Sequence, residues 1–88
     1  MESSFEGLKP EILYPCNWSY QLIGADEPEL RAAVREVIGE TQHSVEFGNV
    51  SKGGKYRSLQ LQVRVENESE RLAIFERLSK HPAIRFVI

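Results

Sequence analysis

The stretch YRSLQLQVRV, residues 56–65, decides the fold. Leu59, Leu61, Val63 and Val65 are apolar, and Ser58, Gln60, Gln62 and Arg64 between them are polar. An unbroken period of two belongs to a strand with one face in a core and the other in water. A helix would scatter the same four apolar side chains around its circumference.

Working toward the N-terminus, Ser51 to Lys55 (SKGGK) reads as a turn, because two glycines take φ > 0 at no steric cost. Before it, residues 44–50 form a shorter strand with Val45 and Phe47 expected inward. Two strand patterns joined by a short Gly-containing loop make a hairpin. Residues 16–23 (CNWSYQLI) alternate again, with Trp18, Tyr20 and Leu22 inward and Asn17, Ser19 and Gln21 outward, and Gly24 closes that strand.

Asp26 with Glu29 three residues later is a capping-box-like start, and Pro28 suits a first helical turn. Leu30, Ala33, Val34, Val37 and Ile38 then make one apolar stripe, which predicts a helix over 27–39. Asn67 and Glu70 repeat the cap for a second helix over 68–80. Leu72, Ile74, Phe75 and Leu78 are expected on its buried side, and Pro82 prevents continuation. Ile84, Phe86 and Ile88 alternate in a last strand expected to point the same way.

Strand, helix, strand, strand, helix, strand, each with one apolar face, is satisfied by two layers. The predicted fold is α+β: a ferredoxin-like βαββαβ sandwich, a four-stranded antiparallel sheet with both helices on one face. Residues 1–15 read as an N-terminal tail, anchored by Phe5, Ile12 or Leu13, and residues 16–88 as a single domain. At 88 residues there is no room for a second core.

The totals narrow the function classes. No apolar run approaches the roughly 18 residues of a membrane helix, and the acidic start (MESSFEGLKPEIL) is not expected to act as a secretory signal. A cytoplasmic location with no membrane contact is the expectation. One cysteine, Cys16, excludes an internal disulfide. Eleven Lys and Arg against 13 Asp and Glu give a net charge of −2, the wrong sign for a general phosphate binder.

The Tyr14 to Ile88 run resembles the YbeD-like small bacterial proteins of unknown function. The aromatic opening strand ending in Gly24, Pro28-Glu29-Leu30 at the helix start, and Ser51-Lys52-Gly53 followed by Tyr56 and Ser58 carry the likeness. The resemblance implies a ferredoxin-like fold similar to ACT regulatory domains, which bind small metabolites. It brings no catalytic residues.

Candidate chemistry is thin. Cys16 with His43 or His81 would be a nucleophile and base without an orienting acid, from three separate elements, so no catalytic residue is expected. Two histidines and one cysteine make no metal-ligand spacing, so neither metal nor cofactor is expected. SKGGK lacks P-loop spacing and enters a strand rather than a helix. Asn17, Ser19, Gln21, Ser58, Gln60 and Gln62 on the outer sheet face offer no aromatic platform for bases. The acids of the Gly24–Glu27 loop, before the first helix, oppose an anionic ligand there and are explained by capping.

The expectation is a non-catalytic regulatory or adaptor module whose partner is another protein. It leaves room for a small effector, as in ACT-like domains, and for a homodimer. The tentative partner-binding residues are Lys52, Gly53, Lys55 and Arg57 at the hairpin tip, where three cations fall within six positions of an acidic chain. Nucleic-acid binding through the same basic tip is the alternative; salt dependence separates the two.

Overall fold

The alternating strand of residues 57–65 lies second in the sheet, and its apolar face is sealed from water. A computed structural model describes residues 12–88. The order is β1 (Cys16–Gly24), α1 (Glu27–Ile38), β2 (His43–Val50), β3 (Arg57–Val65), α2 (Glu68–Lys80) and β4 (Phe86–Val87). The strands lie β2-β3-β1-β4, all antiparallel, which is the expected ferredoxin-like βαββαβ arrangement. β1 and β3 pair along their whole length, from Cys16 opposite Val65 to Gly24 opposite Arg57.

The alternation in β3 becomes burial: Leu59, Leu61, Val63 and Val65 are fully buried, while Gln60, Gln62 and Arg64 are exposed. They meet Tyr20 and Leu22 of β1, Leu30, Ala33, Val34 and Ile38 of α1, and Ile74 and Leu78 of α2 in one cluster. Both helix starts are capped as read. The Glu29 amide donates to Asp26 Oδ2 at 3.0 Å, and the Glu70 amide donates to Asn67 Oδ1 at 2.8 Å. Gly39, at φ 64°, caps α1. Gly24 is required by space: a Cβ there would stand 2.6 Å from the Ala83 carbonyl oxygen and 2.7 Å from a Leu30 methyl.

Several inward assignments are corrected. Leu72 and Phe75 are exposed, at 50% and 43%, and only Ile74 and Leu78 of that helix are buried. The reason is Arg71, which occupies the inner stripe one turn before Ile74. Its guanidinium lies 4.5 Å from the Trp18 ring centroid, and its Nε–H donates to the Tyr14 hydroxyl at 2.9 Å. The Tyr20 hydroxyl donates to the Arg71 carbonyl at 2.7 Å. A cation stacked on an aromatic ring fills a place the pattern had given to Leu72 and Phe75.

The last strand is also out of phase. Val87 pairs with Leu22 and packs against the core, so Phe86 and Ile88 stand on the outer face, 58% and 71% exposed. Ile84 is buried from the turn before the strand, where its amide donates to the His81 carbonyl at 3.0 Å. Phe47 points to the inner face opposite Leu59, but at an edge strand where it stays 43% exposed. Ser58 is buried rather than wet. The β2–β3 register shifts between Phe47 and Val50, and there the Asn49 amide donates to Ser58 Oγ at 3.0 Å. Gly48 is needed at that shift, since a Cβ would collide with the Ser58 hydroxyl. Ile12 and Leu13 are exposed and lie outside the core cluster of the described residues; Tyr14 packs against it instead. Phe5 lies outside the described residues.

Candidate partner-binding hairpin

Lys52, Gly53 and Lys55 sit at the β2–β3 turn and are exposed, as expected of a hairpin tip. Bonds from Ser51, Gly54 and Tyr56 tie the turn. The Ser51 amide donates to the Tyr56 carbonyl at 2.8 Å, and the Tyr56 amide donates back to Ser51 Oγ at 2.9 Å. The Gly54 amide donates to the Ser51 carbonyl at 2.8 Å. Gly53 and Gly54 take φ of 88° and 74°, the left-handed region that the sequence supplies glycines for.

Unlike the two lysines, Arg57 is half-buried, and its Nη1–H donates to the Gly54 carbonyl at 2.9 Å. The guanidinium is therefore bonded back onto its own turn at the surface. Lys55 lies 5.4 Å from the Tyr56 ring centroid. Two exposed lysines thus sit on a bonded loop, one of them over the Tyr56 ring, and a third cation is bonded to the same loop. Such an arrangement presents positive charge with little ordering left to do on contact.

The catalytic candidates do not converge. Cys16 is half-buried at the start of β1 and packs against the core. Its thiol lines neither cavity that holds a histidine. His43 lies 2.6 Å, through Nδ1, from the Thr41 carbonyl and lines a shallow cavity of about 120 Å³ with Asn17, Gln42, Ser44 and Gln62. His81 has both ring nitrogens engaged. The Ala83 amide donates to Nδ1 at 3.1 Å, which leaves the proton on Nε2, 2.8 Å from Glu36 Oε1. Among the described residues no group of three or more His, Cys, Asp or Glu could hold a metal ion. No helix there is long and apolar enough to cross a membrane.

The aromatic–arginine cluster of Tyr14, Trp18, Tyr20 and Arg71 was missed in the sequence. Its signal was Arg71 at the position that continues the Ile74–Leu78 stripe toward the N-terminus. Burial pushes the Tyr20 phenol up to about 12, against the opposing pull of the Arg71 charge. The groups are bonded to one another and brace β1 against α2.

Known proteins place the chain. It is similar to an uncharacterized protein of Helicobacter pylori, 36% identical over 74 residues, covering 82% of this chain and 84% of that protein. The solution structure of protein HP0495 from H. pylori superposes with a TM-score of 0.79 at 32% identity, over 100% of this chain and 94% of that one. The ACT domain from GTP pyrophosphokinase of Chlorobium tepidum superposes with a TM-score of 0.58 at 16% identity, over 82% and 94%; this likeness is one of fold. The family described as "Protein of unknown function (DUF493)" matches residues 9–88, and the chain belongs to it, among the small bacterial proteins that the YbeD-like resemblance pointed to.

Proposed function

We propose that this protein is a non-catalytic, cytoplasmic regulatory or adaptor module that binds an acidic patch on another protein through its hairpin tip. The observation that carries the reading is the pair of exposed lysines, Lys52 and Lys55, on a turn tied by Ser51, Gly54 and Tyr56 and clasped by Arg57. Charges displayed on a preorganised loop steer encounter and add on-rate without enlarging the core. The ACT-like fold supports a regulatory role and leaves room for a small effector. Cys16 starts β1, His43 starts β2 on the far side of β3, and His81 follows α2, which supports a reading without a Cys–His nucleophile and base.

The test compares wild type with Lys52→Glu/Lys55→Glu, in partner capture from the native cell and then in association kinetics with the captured protein. The reading expects an unchanged melting temperature, since neither lysine touches the core. It also expects at least tenfold weaker association, mainly through a slower on-rate, and moderate salt sensitivity. Equal recovery by both proteins reduces the tip to a turn. Capture of nucleic acid with a steep salt slope would replace the protein partner by the alternative reading.

A further inference from the structure

A cavity of about 300 Å³ lies away from the hairpin tip, lined by Glu29, Ala32 and Glu36 of α1 and by His81, Pro82 and Ala83 after α2. Ala32, Pro82 and Ala83 are its apolar lining residues. Glu29 and Glu36 lie one turn before and one turn after Ala32 on the same helix face, so two carboxylates bracket a small residue. No cationic side chain lines the cavity. The donor capacity of His81 is spent: Nδ1 accepts from the Ala83 amide and Nε2–H is given to Glu36 Oε1. That bond fixes one Glu36 oxygen and leaves the other as an acceptor. The Glu29 amide is committed to the Asp26 cap, and its exposed side chain lines the same cavity.

We infer that this groove takes a lysine side chain from a basic segment of a partner protein. The aliphatic stem lies on Ala32, Pro82 and Ala83, and the ammonium is held by Glu29 and Glu36. The chemistry selects this occupant. Side-chain acceptors without a spare side-chain donor require a ligand that brings N–H groups and positive charge. An apolar floor beside them requires a hydrocarbon stem, and lysine joins the two in one side chain. The volume is at the small end for ligand sites and suits one side chain rather than a folded surface. This surface is separate from the lysine-bearing tip and does not rest on it, so one copy can present charges of opposite sign to its surroundings.

The test follows amide shifts of the ¹⁵N-labelled full chain during titration with the peptide acetyl-Ala-Lys-Ala-amide. Controls carry norleucine or glutamate in place of lysine. Saturable shifts confined to Ala32, Glu36, Ala83 and their neighbours are expected with the lysine peptide. Binding should be at least threefold weaker with norleucine and absent with glutamate. Glu29→Gln and Glu36→Gln should each weaken the lysine peptide at least threefold, and Ala32→Leu, which fills the floor, should abolish its binding. Non-saturating shifts spread over Glu40, Glu46 and Glu66, or equal affinity for lysine and norleucine, or undiminished binding by Ala32→Leu, overturn the proposal. The two glutamine variants are surface changes that leave the core alone, so the outcome does not depend on how Ala32→Leu folds.

Discussion

Tyr20 shows how one side chain can serve core and brace together. Its ring is buried at 2% exposure between β3 and α2, and its hydroxyl finds a partner in the Arg71 carbonyl 2.7 Å away. A buried hydroxyl without a partner would be costly, so the bond is what allows a tyrosine where the pattern asked only for an apolar residue. The same burial favours the neutral phenol. In the unfolded chain Tyr20 ionises near its ordinary 10, and in the folded protein near 12. Between those values the unfolded state sheds a proton that the folded state keeps. The contribution is therefore complete below pH 10 and is lost as pH rises through 12, with an upper bound of about 2–3 kcal/mol. Tyr20→Phe abolishes this dependence and forfeits the hydrogen bond, for about 1 kcal/mol at neutral pH. Urea unfolding at pH 8, 10 and 11 should show wild type losing its lead over the variant as pH rises. A gap that stays constant across the three would mean that the phenol titrates as if exposed.

At the scale of the element, α2 is the helix whose rotation about its own axis matters most. Its buried line runs through Arg71, Ile74 and Leu78, and the larger Phe75 faces water. Ile74→Ala should destabilise by about 2–5 kcal/mol, whereas Phe75→Ala should cost about 1 kcal/mol or less. Melting and denaturant midpoints for the pair check this; the reverse ranking would put the helix back in the rotation that hydrophobicity alone suggests. That difference marks where the sequence was legible. β1, β3 and α1 could be read because pattern and environment agree there: one face is apolar and one face is buried. For α2, an arginine counts as polar in any pattern, yet stacking on Trp18 makes it an inner-face residue. For β4, three apolar residues alternate correctly, but the turn that buries Ile84 ends before the pairing that fixes Val87, so two different phases share one run. Ser58 was hidden by a register shift on the neighbouring strand. The hairpin tip was legible in place and charge, but the bond from Arg57 back onto the turn depends on which way the Gly54 carbonyl points, and a string of letters does not carry that. The acidic groove joins α1 to the turn after α2, so only the tertiary fold assembles it.

In the molecule as a whole, stability is distributed unevenly across the sheet, and the pairing lengths say how. β1 and β3 share nine paired positions and carry six side chains of the single core cluster: Tyr20, Leu22, Leu59, Leu61, Val63 and Val65. β4 spans two residues, and beyond its own pairing it is tied to β1 by the Arg85 amide to the Ile23 carbonyl at 2.7 Å and the reciprocal Gln21–Ile88 bonds at 3.0 and 2.9 Å. Of its side chains only Val87 packs against the core. Opening β4 therefore exposes one half-buried valine, whereas opening β1 from β3 dismantles the cluster. Native-state hydrogen exchange should separate the two. Amides of the β1–β3 ladder are expected to exchange only through global unfolding, with a common free energy that falls with denaturant along the global slope. Arg85 and Ile88 are expected to exchange several kcal/mol more easily, through a local opening nearly insensitive to denaturant. Val87→Ala should then widen that difference, lowering protection at Arg85 and Ile88 while the β1–β3 ladder barely changes. Protection at Ile88 equal to that of Leu61, with the same denaturant slope, would show that the last strand closes the fold rather than resting on it.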